Sequence, residues 1–319
     1  MSKTTKRTPA TIIGGFLGAG KTTLLNRILQ SDFDLKAAVL VNDFGSINID
    51  SSLIKSNDGK VMNLANGCIC CSISGDLVGQ IESLPDMPEP PEYLLIEASG
   101  VSDPGRIARV LNYKIFRERI QVDAVLTLVD AEQFEVASSE FPELARVQLK
   151  TADIVVINKT DLCSEQQLST FKSKWLLDGS TVFETCFADV PMQLILGTDA
   201  NQGAITDTCS DATCQHKHHH QSHDDLFESI SRQCVKPINI DKLKIAIKKL
   251  PAEIYRAKGI FIIEGETAQT AILQKVGSRT EWSFGDRQLK ENSASKLVMI
   301  SKKGKLQLAE TLVEFERQL

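Results

Sequence analysis

Two patterns of apolar residues divide this chain. Up to about residue 165, short continuous apolar runs recur at residues 11–13, Ala37–Val41, Val61–Leu64, Tyr93–Glu97, 122–129 and 154–157. Runs that are apolar throughout, without alternation, predict strands buried on both faces. Between them the spacing turns helical: Leu24, Leu25, Ile28 and Leu29 share one face, and residues 104–113 and 131–150 carry similar signals. Strands alternating with helices predict an α/β fold, a mostly parallel sheet covered by helices on both faces. In such a sheet ligands gather at the carboxyl ends of the strands.

The pattern breaks at residues 199–225, which are polar and lack periodicity. Beyond them, Asp241 can cap a helix bearing Leu243, Ala246, Ile247 and Leu250. Strands are expected at 259–264, 271–276, 279–284 and 296–301, then a helix with Leu308, Leu312, Phe315 and Leu319 as its stripe. The expected organisation is a nucleotide-binding domain over 1–200, a linker or insertion over 201–225, and a small α+β domain over 226–319.

The chemistry sits at strand ends. Residues 15–22 satisfy G-x-x-x-x-G-K-[ST], with Gly15, Gly18, Ala19, Gly20, Lys21, Thr22 and Thr23 between the first strand and the first helix. There the backbone N–H groups can converge on a polyphosphate at a helix N-terminus. Lys21 would reach the β- and γ-phosphates and Thr22 would hold Mg²⁺. Glu97 ends its strand and is followed by Gly100, positions suited to orienting Mg²⁺ or its water and to sensing the γ-phosphate. Asn158, Lys159 and Asp161 form N-K-x-D after a later strand. The aspartate accepts from the ring N–H and from the exocyclic amine that guanine alone presents on that edge, which selects GTP over ATP. Lys21 and Glu97 are the expected catalytic residues.

Composition narrows the picture without changing it. The 319 residues are 42% hydrophobic and 24% charged, with a formal net charge of −5. That balance offers no general attraction to nucleic acid or an anionic membrane, and small clusters such as Lys248-Lys249 suit solvated faces. No apolar stretch approaches the ~18 residues a membrane span needs, so the cytoplasm is the expected compartment. Eight cysteines there do not suggest a disulfide framework.

Three of those cysteines are clustered as Cys68, Cys70 and Cys71. Thiolates suit Zn²⁺ and Cu⁺, and three local ligands leave a zinc site open to a fourth from elsewhere. A redox dithiol and three buried thiols are competing readings. The cluster falls between the phosphate loop and Glu97, where a γ-phosphate can order a switch segment. All five histidines, His216, His218, His219, His220 and His223, lie in the polar segment beside Cys209 and Cys214. They compose either a collecting arm for Zn, Ni, Co or Cu, or a histidine-rich polar loop.

Taken together, these motifs resemble the CobW/YjiA-type family of metal-handling P-loop GTPases: residues 14–23, 42–45, 67–71, 97–104, 158–161 and 216–223 in order, then Arg256-Ala257-Lys258-Gly259 and Trp282. The resemblance implies GTP hydrolysis, binding of Zn²⁺ (with Co²⁺ or Ni²⁺ as alternatives) at Cys68, Cys70 and Cys71, and delivery of metal to a client metalloprotein. It also implies that the acid at position 43 helps bind metal. Asp43 stands where many members have glutamate and Ser46 where they have an acid, which leaves the metal preference open. No arginine finger is visible, so slow turnover is expected until a partner or a second copy, as in a homodimer, completes the site. A zinc buffer uncoupled from nucleotide, or a kinase-like P-loop enzyme, would use many of the same residues.

Overall fold

The computed structural model describes residues 7–30, 36–41, 61–64, 81, 84, 90–196, 227–234, 237–265, 269–285, 294–302, 304 and 307–318. The expected ligands Asp43, Cys68, Cys70, Cys71 and the five histidines lie outside these residues. The chain divides into two compact units, Met1–Gly197 and Thr198–Leu319.

The first unit is built on a seven-stranded sheet in the order β3-β2-β4-β1-β5-β6-β7. Its strands are β1 (Thr8–Gly15), β2 (Ala37–Val41), β3 (Val61–Leu64), β4 (Tyr93–Glu97), β5 (Ile120–Asp130), β6 (Ile154–Asn158) and β7 (Val182–Glu184). Every neighbouring pair is parallel, as unbroken apolar runs require when both faces are covered. The register pairs Ile13 with Glu97 and with Leu126, so the ends of β1, β4 and β5 lie side by side. Among the described residues its helices are α1 (Lys21–Gln30), α2 (Pro104–Leu111), α3 (Lys114–Arg117), α4 (Phe134–Glu140), α5 (Pro142–Thr151), α6 (Glu165–Trp175) and α7 (Met192–Ile195).

Two apolar clusters bury the sheet. One joins Ile12, Leu40, Leu94 and Ile96 to Ile107, Val110 and Leu111 of α2. The other joins Val129, Val155 and Ile157 to Phe134, Leu149 and Phe171. Within the second cluster Phe134 meets Phe16, Phe171 and Trp175 edge-on, at 5.8, 5.1 and 5.2 Å between ring centroids. Phe16 belongs to the phosphate loop, so α4 packs against it through Phe134 and α6 backs Phe134 in turn. Near the amino ends of the strands, the Tyr93 hydroxyl donates to Asp123 Oδ2 at 2.5 Å and lies 2.8 Å from Thr11 Oγ1. Thr11 in turn donates to Ile195 O at 2.9 Å, tying α7 to the sheet.

Among the described residues the second unit is a five-stranded antiparallel sheet, β11-β10-β9-β12-β8, with two helices. Its strands are β8 (Phe227–Cys234), β9 (Ile254–Ile263), β10 (Gln269–Val276), β11 (Arg279–Gly285) and β12 (Ser295–Lys302), and its helices are α8 (Ile240–Lys248) and α9 (Leu308–Gln318). Leu243, Ala246 and Ile247 of α8 and Leu312 and Phe315 of α9 pack on Ala257, Phe261, Leu273, Leu297 and Met299. The cap of α8 differs from expectation. Asn239, not Asp241, holds the position, because its Oδ1 accepts from the N–H groups of Asp241 and Lys242 at 3.1 and 3.2 Å. Asp241 sits inside the first turn, where its charge still suits the helix dipole. Among the described residues no helix is long and apolar enough to cross a membrane.

Candidate nucleotide site

Glycine is forced on the phosphate loop at two points. Gly15 has φ 128°, and a Cβ there would stand 2.2 Å from Leu128 O. Gly20 has φ 102°, and a Cβ there would meet Asn158 Nδ2 at 2.5 Å. The loop closes on itself through Ala19 N–H to Phe16 O at 3.2 Å, and Leu24 N–H to Gly20 O starts α1. Lys21, only 7% exposed, donates from Nζ to Phe16 O at 3.1 Å. Its ammonium is thereby folded back onto the loop. Thr23 is exposed, whereas Ala19 is buried.

Thr22 Oγ1 donates to Glu97 Oε1 at 3.0 Å. The pair brings a hydroxyl and a buried carboxylate to the end of the loop, from α1 and from the end of β4. Hard oxygen donors beside a phosphate cradle are the set that Mg²⁺ takes, so the residues fit that ion. Gly100 packs tightly here: a Cβ on it would stand 2.6 Å from Leu17 N. Gln148 of α5, buried and absent from the motif reading, donates from Nε2 to Gly100 O at 3.3 Å and to Ser102 O at 2.8 Å.

At the base end Asn158 is a strut. Its Nδ2 donates to Ala19 O at 2.9 Å and its Oδ1 accepts from Ala188 N–H at 2.8 Å. One side chain thus joins β6, the phosphate loop and the loop after β7. Lys159 has a left-handed backbone (φ 59°) and its Nζ pairs with Asp130 Oδ2 at 2.5 Å. Asp130 ends β5, and its Oδ1 accepts from the N–H groups of Glu132 and Gln133. The Lys159 stem is therefore anchored at its tip. Asp161 is exposed in a short 3₁₀ turn, Thr160–Leu162.

Motif reading missed Asp130, Gln148 and the loop at 185–188. In that loop Phe187 and Ala188 are both left-handed (φ 54° and 53°), and Phe187 is 70% exposed. Thr160 Oγ1 donates to Thr185 O at 3.1 Å, which seats the loop beside the N-K-x-D turn. Cys163 lies next to the same turn, and burial, with help from Glu132, Asp130 and Asp161, pushes its thiol above the ordinary range. Among the described residues no group of three or more His, Cys, Asp or Glu could hold a metal ion.

Comparison with known proteins bears on the family of the chain. Residues 9–178 match the CobW/HypB/UreG nucleotide-binding domain, and residues 227–316 match the cobalamin synthesis protein CobW C-terminal domain. The zinc chaperone CobW of Sinorhizobium sp is 26% identical over 88% of this chain and 90% of its own length. The zinc chaperone YjiA of Escherichia coli K12 is 29% identical over 80% of this chain and 82% of that one. The zinc-regulated GTPase metalloprotein activator 1 of Dictyostelium discoideum is 32% identical over 60% of this chain and 49% of that one. Among solved structures, the Zn(II)-bound YjiA GTPase from E. coli spans 98% of this chain at 25% identity and a TM-score of 0.45. The chain belongs to the CobW/HypB/UreG family of nucleotide-binding proteins, in the form that carries a CobW C-terminal domain.

Proposed function

We propose that this chain, a metal-handling GTPase, binds Zn²⁺ at Cys68, Cys70 and Cys71 and passes it to a client metalloprotein under control of the bound nucleotide. The observation that carries the nucleotide half is Asn158. It bridges the phosphate loop at Ala19 and the base-side loop at Ala188, so both ends of one nucleotide are presented from a common frame. The chain's own residues then divide the work. Lys21 neutralises transferred phosphate charge, and Glu97 orients groups around the Thr22 hydroxyl. Asp161 reads the guanine amine while the Lys159 stem covers the ring face. Thr22 and Glu97 would hold Mg²⁺, which would supply positive charge to offset that of the phosphates.

The metal half rests on the clustered thiols and on relatives that are zinc chaperones by name. Asp43 is the proposed additional ligand, and His216, His218, His219, His220 and His223 the proposed collecting arm, in a segment between two domains bounded near residues 200 and 226. Coupling needs little energy: tenfold tighter zinc binding in one nucleotide state corresponds to about 1.4 kcal/mol.

The experiment is a zinc titration of the protein loaded with a non-hydrolysable GTP analogue and then with GDP. At least a tenfold difference in zinc affinity is expected, and it should vanish in the Cys68→Ser, Cys70→Ser, Cys71→Ser variant. Equal affinity in the two states would make the chain a zinc buffer instead.

A further inference from the structure

The base-side loop is held in a conformation that needs outside support. Two consecutive non-glycine residues, Phe187 and Ala188, are left-handed, and such backbones persist only where their surroundings over-determine them. Some of the constraint is local. Thr185 Oγ1 donates to Asp189 O at 2.7 Å, Asp189 N–H donates to Cys186 O at 3.1 Å, and Val190 N–H donates to Ala188 O at 3.0 Å. Some comes from Asn158 through Ala188. A further restraint comes from α1, where Arg27 NH1 donates to Asp189 Oδ1 at 2.7 Å.

The placement of that contact matters more than its strength. Arg27 lies on the helix that begins with Lys21 and Thr22, two turns beyond the phosphate loop. Asp189 directly follows the left-handed pair. The ion pair therefore spans from the helix that presents the phosphate end to the loop that presents the base end. Neither residue belongs to a recognised motif, and both side chains are 41% exposed. A pair so placed has little reason to serve the core.

We propose that the Arg27–Asp189 ion pair is a positioning pair, which fixes the loop at 185–189 against α1 and so holds the base side of the site in place. This rests on the guanine-nucleotide reading above. The pair acts through the loop and not on the base itself. Its loss should therefore weaken guanosine and inosine nucleotides equally, whereas loss of Asp161 should erase the preference between them.

The test uses the full chain, with Arg27→Ala, Asp189→Ala and the charge-swapped R27D/D189R double variant. Equilibrium binding of GDP, IDP and ADP is measured beside GTP turnover and thermal unfolding. Each single variant is expected to bind GDP and IDP about three- to fivefold more weakly, the range of an exposed pair. KM for GTP should rise while kcat at saturation and the unfolding midpoint stay put, and the swap should recover most of the loss. Singles that bind GDP like the parent, a swap weaker than either single, or a fall in midpoint with KM unchanged would each overturn the positioning role. A parent chain binding ADP as tightly as GDP would overturn the guanine reading beneath it, and with it this inference.

Discussion

Gly20 shows how little freedom the site leaves at the level of a single residue. A methyl group there meets a positive φ and the Asn158 amide together. Gly20→Ala is therefore expected to break the Asn158–Ala19 bond and to weaken GDP binding more than tenfold, measured by calorimetry, with the rest of the unit folded. Asp161 offers the complementary case, because it is exposed and its loss leaves nothing buried. Asp161→Asn replaces an acceptor with an amide that can donate. Affinity for GTP should fall by about 1–3 kcal/mol while xanthosine triphosphate, with oxygen at the 2-position, gains. Competition binding with the two nucleotides checks both directions. Cys163 makes a chemical prediction of its own. Burial and three neighbouring carboxylates keep its thiol protonated, so alkylation at neutral pH should modify it more slowly than exposed Cys234, as peptide mass mapping would show.

Elements, unlike residues, act through what they pack against. α4 reaches the phosphate loop through Phe134, which is 3% exposed and touches three other rings. Phe134→Ala should cost about 3–5 kcal/mol in urea unfolding, and nucleotide affinity should fall with it because Phe16 loses its support. Which elements could be foreseen follows from the same logic. The strands β1, β2, β4, β5 and β6 each carry a run of buried apolar residues and announce themselves. α6 buries Phe171 and little else, so it lacks an apolar stripe; its capping box, Ser164 with Gln167, was the available signal. β7 has three residues, too few for any periodicity. Lys21, Thr22, Glu97 and Asn158 were legible because each sits in a local motif. Asp130, Gln148 and the loop at 185–188 were not, because only the strand order brings them to the site.

For the molecule as a whole, pH acts on the first unit through Glu135, where α4 meets α6. The hydrogen bond from Lys174 holds the Glu135 carboxyl below the ordinary glutamate range, with the Trp175 indole N–H as a second donor. A depressed acid contributes stability that is fully present above its unfolded value and is lost as pH falls through its folded value. Acidification below the usual glutamate range should therefore lower the unfolding midpoint. Glu135→Gln should flatten that dependence, read by Trp175 fluorescence. The contribution is small, since both charged partners are about half exposed.

Because all seven strands of the first sheet run the same way, its two rims have separate duties. The motif residues Lys21, Thr22, Glu97 and Asn158 collect where the strands finish, and the Thr11–Tyr93–Asp123 network secures the region where they start. Damage at the lower rim should thus leave selectivity intact while lowering the temperature the protein withstands. Tyr93→Phe is expected to cost about 1–3 kcal/mol. Bathing that variant in guanine nucleotide at a hundred times its dissociation constant should return about 2.7 kcal/mol, enough for occupancy at one rim to mask injury at the other.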